Sequence, residues 1–395
     1  MPMPNGPFAT AMLCVVAATS SAPSSALVPL ISWRASSRGG EDGGGASVRA
    51  ARTCGGEIDR RSALLGGTCG LVSAASAPSV LLPRAAQATP GRIPNWTLDD
   101  NVLFPTLALN TAGLTAEDAE RATGLAAAAG VRHVDFHPGR ERDGVAAHVA
   151  KHGRGDLFLT TKIRKAPPGT APAAAAALVE AQIAEDLAVL GLDRVDMLML
   201  RDSPDPAVIQ AQWKSLEEAL AAGRTRSVGV VNFCQGALAA LLETAKVKPA
   251  VNYYMLHVGM GADAHGLRTF GESRGIRTFA YGACGEPGPN EVLLASPVLR
   301  RVGAAHGKTP EEVALRWVLQ TGAAVSVRPT THFGLGVSTC REGSECQDGI
   351  KARAGSFDFK LSAQEMSELS AMTSPDDNPT LFSSAGCPGA FVMPK

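Results

Sequence analysis

From residue 105 to residue 327 the chain alternates short apolar runs with helical stretches, and this alternation limits the fold more than any other feature. Residues 105–110, 131–136, 157–163, 195–200, 225–231, 250–254, 277–283 and 324–327 read as strands. The run 195–200, apolar apart from Asp196, suits a strand buried on both faces. Helical patterns lie between the runs. One is headed by Thr115-Ala-Glu-Asp118, a capping-box pattern, and reaches Gly130. Others cover 142–152, 173–190, 207–222, 236–245, 264–273, 297–306 and 310–320, the last opening on Thr309-Pro310. Strands and helices alternating in this way form parallel βαβ units. Eight such units, with no Gly-rich phosphate loop after Asn110, predict a closed (β/α)8 TIM barrel over a doubly wound sheet.

Segments outside the repeat complete the expected architecture. Residues 96–104 read as a hairpin capping the barrel, with its turn at 99–101. Residues 330–355 have little periodicity and read as a long inserted loop. Ser362 caps a helix running to 372, and 374–395 read as an extended tail. Residues 1–88 read as a targeting presequence rather than folded protein. Within it, Arg60-Arg61, a weakly apolar run and Ala86-Gln-Ala88 form a twin-arginine-type signal over 60–88. The mature chain then starts near Thr89, in a plastid and its thylakoid lumen, or in a mitochondrion. The apolar run 8–18 is too short to span a bilayer, and no integral membrane span is expected in the mature chain. Seven arginines against four acids up to Ala88 give +3, and the remaining 30 basic and 33 acidic residues give −3. Neither balance fits a nucleic-acid surface, and no nucleic-acid partner is expected. The cysteines have no zinc spacing. Cys340 and Cys346 either pair or stay as two thiols in the loop.

Barrels carry their chemistry at the carboxyl ends of the strands. In chain order those ends hold Asn110, Asp135, Lys162, Arg201, Asn232, Tyr253 or Tyr254, Tyr281 and Arg328. This is one carboxylate in a largely cationic, polar ring. A loop after Asp135 is expected to carry His137 and Arg140.

The motifs around these positions resemble the aldo-keto reductase family. Gly130-Val-Arg-His-Val-Asp135, Leu159-Thr-Thr-Lys162 and Leu192-Asp-Arg-Val-Asp196 match three of its stretches in order. Gly223-Arg-Thr-Arg-Ser-Val-Gly229-Val-Val-Asn232, Pro249-Ala-Val-Asn252 and Lys308-Thr-Pro-Glu-Glu continue the match. The resemblance implies NADP(H) bound along the rim and a hydride passed to a small carbonyl or anionic substrate. Such enzymes use an aspartate, a tyrosine, a lysine and a histidine. Asp135 and Lys162 match, but Arg140 stands at the tyrosine position and Arg201 at the histidine position. Arginine does not release its proton near neutral pH and cannot serve as the acid. By the same resemblance, Asn110, Thr111, Asn232, Tyr253, Tyr281, Gly282 and Arg328 fall on the cofactor. The expected activity is therefore an altered or impaired reductase, its proton coming from water or His137. The alternative is a non-catalytic barrel that binds a nucleotide or anion as a sensor or assembly partner.

Overall fold

The computed structural model describes residues 92–99, 101–285, 290–330 and 340–373. The presequence and the tail expected from the sequence lie outside them. Strands β1 (Asn95–Thr97) and β2 (Leu103–Pro105) pair antiparallel as the expected hairpin, and Asn101 turns the corner in the left-handed region at φ 60°.

Eight parallel strands follow: β3 (Leu107–Asn110), β4 (His133–Asp135), β5 (Phe158–Lys162), β6 (Val195–Arg201), β7 (Thr225–Val231), β8 (Val251–Met255), β9 (Arg277–Tyr281) and β10 (Ala324–Val327). Each pairs with the next, and β10 closes on both β9 and β3. The expected (β/α)8 barrel is therefore the fold. Helices α1 (Ala116–Ala128), α2 (Arg140–His152), α3 (Pro172–Leu190), α4 (Pro206–Ala221) and α5 (Gln235–Leu242) surround the first half. The outer layer continues with α6 (Leu267–Glu272), α7 (Asn290–Leu294), α8 (Pro297–His306), α9 (Pro310–Gln320), α10 (Glu345–Ala354) and α11 (Ala363–Ser370).

The two-residue period of the strands divides the core. Leu107, Val134, Leu159, Leu198, Val230 and Tyr254 face the helices. Ala108, Phe158, Met197, Met199, Tyr253 and Phe279 fill the barrel. The hairpin seals the amino-terminal end of this interior. Its Phe104 stands edge-on to His133, Phe158 and Phe279, with ring centroids 4.8, 5.3 and 5.2 Å away.

Four details depart from the sequence reading. Helix α2 begins at Arg140, two residues early, so Arg140 opens a helix rather than lying in a loop. The helix expected over 264–273 is broken by Gly266 at φ +69°, leaving only Leu267–Glu272 as α6. Helix α7 has no counterpart among the expected elements. The region read as an inserted loop contains α10, which a Cys340–Cys346 disulfide fastens at its first turn. Cys346, Ile350 and Arg353 give α10 a buried stripe too short to register as a period. Gly349 lets it lie against the barrel, because a Cβ there would fall 1.8 Å from the Pro329 carbonyl oxygen.

Candidate active site

The parallel barrel brings Asp135, Lys162, Tyr253 and Ser326 together from β4, β5, β8 and β10. Lys162 Nζ donates to Asp135 Oδ1. Ser326 Oγ and Tyr253 OH both donate to Asp135 Oδ2, at 2.6 and 2.9 Å. Asp135 and Lys162 have no exposed surface. Burial pushes the Asp135 carboxyl up, but the Lys162 charge and the donors around it outweigh burial and hold it below the usual carboxylate range. Burial pushes the Lys162 ammonium down. Asp135 pulls it back and Arg201 adds to the depression, leaving it below its ordinary value. Tyr253 is driven well above the usual phenol range by burial and by the Asp135 charge. Its hydroxyl is therefore a fixed donor to Asp135, not an acid for use near neutral pH.

A second ring of contacts continues this cluster. Asn110 Nδ2 donates to Tyr253 OH at 3.1 Å, and Tyr281 OH donates to Asn232 Oδ1 at 2.9 Å. Asn232 sits at φ 61°, a conformation that costs a non-glycine residue about 1 kcal/mol. The rings of Tyr253 and Tyr281 lie 5.0 Å apart.

Beside the cluster stands a His–Glu pair. His137 Nδ1 lies 2.8 Å from Glu141 Oε2, one turn further along the chain. The same carboxylate accepts the backbone N–H of His137 at 3.1 Å and of Gly113 at 2.9 Å. Thr111 Oγ1 lies 3.3 Å from Glu141 Oε2 and 3.3 Å from the Asp135 carbonyl oxygen. A carboxylate facing Nδ1 assigns the ring proton to that nitrogen, so Nε2 is the atom left to exchange a proton. Burial, and then the Lys162 charge, lower the His137 pKa below 6.5 against the pull of Glu141. Burial pushes Glu141 up, but His137 and Gly113 outweigh it and leave Glu141 lowered.

The expected site residues are only partly brought together. Asp135, Lys162, Tyr253, Asn110, Asn232 and Tyr281 meet in one connected cluster. Of the two tyrosines left open at the end of β8, Tyr253 points into the barrel. Tyr254 faces the helices and bonds Thr278 at 2.9 Å. Arg201 is half-buried and close enough for its charge to depress Lys162. Arg140 does not join the cluster. It is exposed and bonds neither Asp135, Lys162 nor Arg201. Gly282 adopts φ +66°, which explains a glycine there, since a side chain would strain the turn. Arg328 is half-buried after β10, and its carbonyl accepts Arg353 Nε from α10 at 2.9 Å.

Three polar groups at this rim escaped the sequence reading. Ser326 is the inward residue of the last strand, legible from the Val325-Ser-Val327 alternation. Glu141 lies four residues after His137, a spacing that a helix start brings together. Asp202 is buried after Arg201. Burial raises its pKa, while Lys165 at 2.9 Å pulls it down.

Comparison with known proteins agrees with this geometry. A sequence profile described as Aldo/keto reductase family matches residues 105–373. An aldo-keto reductase from Mycolicibacterium smegmatis is 30% identical over 286 residues, covering 71% of this chain and 93% of that protein. One from Mycobacterium sp. strain MCS is 31% identical over 286 residues, covering 71% and 91%. The crystal structure of an aldo/keto reductase from Brucella melitensis superposes with a TM-score of 0.60 at 25% identity, covering 70% of this chain and 98% of that one.

Proposed function

The chain belongs to the aldo/keto reductase family, and from that premise we propose that its Asp135–Lys162 rim reduces a small carbonyl compound with NAD(P)H. The observation carrying this reading is the wholly buried Asp135–Lys162 ion pair at the carboxyl end of the strands, with the Arg201 charge beside it. The residues present suit the nicotinamide end of such a cofactor. Asn232 has its Oδ1 occupied by Tyr281, while its Nδ2 makes no bond among the described residues. Tyr281 is half-buried beside it, with its hydroxyl on Asn232. Arg328 is the residue that would meet a 2′-phosphate.

The bound cofactor supplies the hydride for the carbonyl carbon. Lys162 and Arg201 place two positive charges where the oxygen gains negative charge. His137 Nε2 delivers the proton to that oxygen, and Glu141 holds the ring to the task. Arg140 and Arg201 stand where the family has its tyrosine and histidine, so turnover is slow relative to an enzyme with a phenolic acid. The lowered His137 pKa makes the imidazolium scarce at neutral pH, so the rate rises as pH falls toward that pKa.

A second reading is a barrel that binds a nucleotide or anion without catalysis. It is favoured by the closure of Lys162, which exposes no surface. Nicotinamide fluorescence titrated with the protein separates the two. Binding followed by aldehyde-dependent cofactor oxidation supports the reductase, and binding without oxidation supports the second reading. Arg140→Tyr combined with Arg201→His then raises aldehyde reduction if the pocket is otherwise intact.

The presequence reading places the mature chain in a plastid, in the thylakoid lumen, with a mitochondrion as the alternative. The Cys340–Cys346 disulfide supports an oxidising compartment. No helix among the described residues is long and apolar enough to cross a membrane. Sequencing the amino terminus of the native protein tests this placement. A start near Thr89 supports it, and a start within 1–59 contradicts it.

A further inference from the structure

At the opposite end of the barrel, the amino-terminal ends of the strands surround a cleft of about 790 Å3. Its charge comes from a repeat within the repeat. Arg132 precedes β4, Arg154 precedes β5, Arg194 precedes β6, and Arg226 is the second residue of β7. Neighbouring parallel strands are only about 5 Å apart, so four successive units bring four guanidinium groups to one wall. Arg92, at the approach to the β1–β2 hairpin, adds a fifth.

Two acids share the cleft, and neither neutralises it. Asp196 is 2% exposed and fully engaged. It accepts Arg154 Nη2, Arg226 Nη1 at 3.1 Å and the Leu159 backbone N–H at 2.8 Å. Asp156 is exposed and pairs with Arg132 Nε at 3.3 Å. Arg92 and Arg194 are exposed and have no ion-pair or hydrogen-bond partner for their side chains among the described residues. The lining therefore carries +3, from five arginines against two aspartates, in a chain whose residues beyond Ala88 carry −3. The wall between the charges is apolar, with Ile93, Leu103 and Leu157.

We propose that this cleft is a binding site for a small polyanion, a metabolite with two or more phosphate or carboxylate groups on a compact body. Guanidinium groups meet such oxygens two at a time, and a fixed row of them discriminates a polyanion from a single negative charge. The volume suits a metabolite. A nucleic acid is disfavoured, because Phe158, the aromatic ring in the cleft lining, is buried and leaves no face for a base to stack on. The site is separate from the Asp135–Lys162 rim and does not depend on the reductase reading.

Calorimetric titration of the full chain with inorganic pyrophosphate tests the proposal. The expected result is one saturable site, weakened about tenfold or more in Arg92→Glu/Arg194→Glu and unchanged in Arg201→Gln, which alters the opposite rim at a half-buried side chain. Both reversed arginines are exposed and unpaired among the described residues, so the double variant should keep its melting temperature. Arg194→Ala alone, with a smaller loss in the same direction, is the fallback if it does not. The proposal is overturned if pyrophosphate gives no binding heat, if binding survives the double reversal, or if Arg201→Gln abolishes it. Binding to anionic lipid vesicles or a DNA duplex with none to pyrophosphate also overturns it.

Discussion

The two ends of this barrel use the same strands and treat charge in opposite ways. At the carboxyl end, Asp135 and Lys162 are sealed from water, and Ser326 and Tyr253 complete the carboxylate's bonds. At the amino end, Arg92 and Arg194 stay in water with no partner among the described residues, while Asp196 accepts two arginines and a backbone N–H. Burial separates them. A sealed charge has its pKa moved by its neighbours and becomes a tool for chemistry, whereas an exposed, unpaired guanidinium is suited to holding an anion.

Substitution of one charge at each end gives the largest expected contrast. Lys162→Met leaves Asp135 buried without its counter-ion and should cost about 3–5 kcal/mol of stability in a denaturant titration. A loss below about 1 kcal/mol would mean that the pair is not sealed as described.

The second effect tests burial through pH. Burial holds His133 at about 4, against its Pro105 carbonyl partner, while the unfolded chain protonates near 6.5. The unfolded state therefore takes up a proton that the folded state refuses. Stability should fall by about 3 kcal/mol as pH drops from 6.5 to about 4, followed by unfolding titrations at steps between those values. The lowered pKa of Asp135 adds a further loss at still lower pH, as its carboxylate protonates. His133→Gln should flatten the slope through the first window, and an unchanged slope would assign the effect to other groups.

Next is Glu141→Gln, which should lower carbonyl reduction about 10²-fold with little change in cofactor affinity. Loss of the carboxylate also removes the pull that keeps the His137 pKa up, so the rise in rate on acidification should move to lower pH. If the rate and profile stay as in the parent, His137 is not the proton source.

The smallest effect belongs to the amino end. Arg194→Ala should change stability by less than about 0.5 kcal/mol, because the side chain is exposed and makes no bond among the described residues. A larger loss in a thermal melt would show that this arginine supports the barrel rather than lining an open site.

The two ends also differ in how far the sequence revealed them. Strand ends recur once per unit, so Asp135, Lys162, Arg201 and Asn232 could be read off the repeat, and the eight strands with them. Arg140 was misplaced because helix α2 starts earlier than its apolar pattern, with Gly139 and Arg140 giving no sign of a cap. Tyr253 was read as a cofactor residue. Only the closure of the barrel, which brings β8 to Asp135 across 118 residues of chain, shows that its hydroxyl is committed to Asp135. The arginine cleft was invisible for the same reason: Arg132, Arg154, Arg194 and Arg226 each look like isolated surface charges until four strand starts align. Helix α10 was hidden within a stretch rich in Gly, Ser and Cys, where a disulfide and contacts with Arg328 and Pro329 stand in for a long apolar face.

The central claim is that the sealed carboxyl end still transfers hydride. Deuterium at the transferable position of NADPH, followed into the alcohol formed from an aldehyde, tests it most directly in the parent chain and in Lys162→Met. The account predicts deuterium in the alcohol from the parent, released faster at mildly acidic pH, and none from Lys162→Met. Cofactor bound with no deuterium transferred, or transfer that survives loss of Lys162, would contradict it.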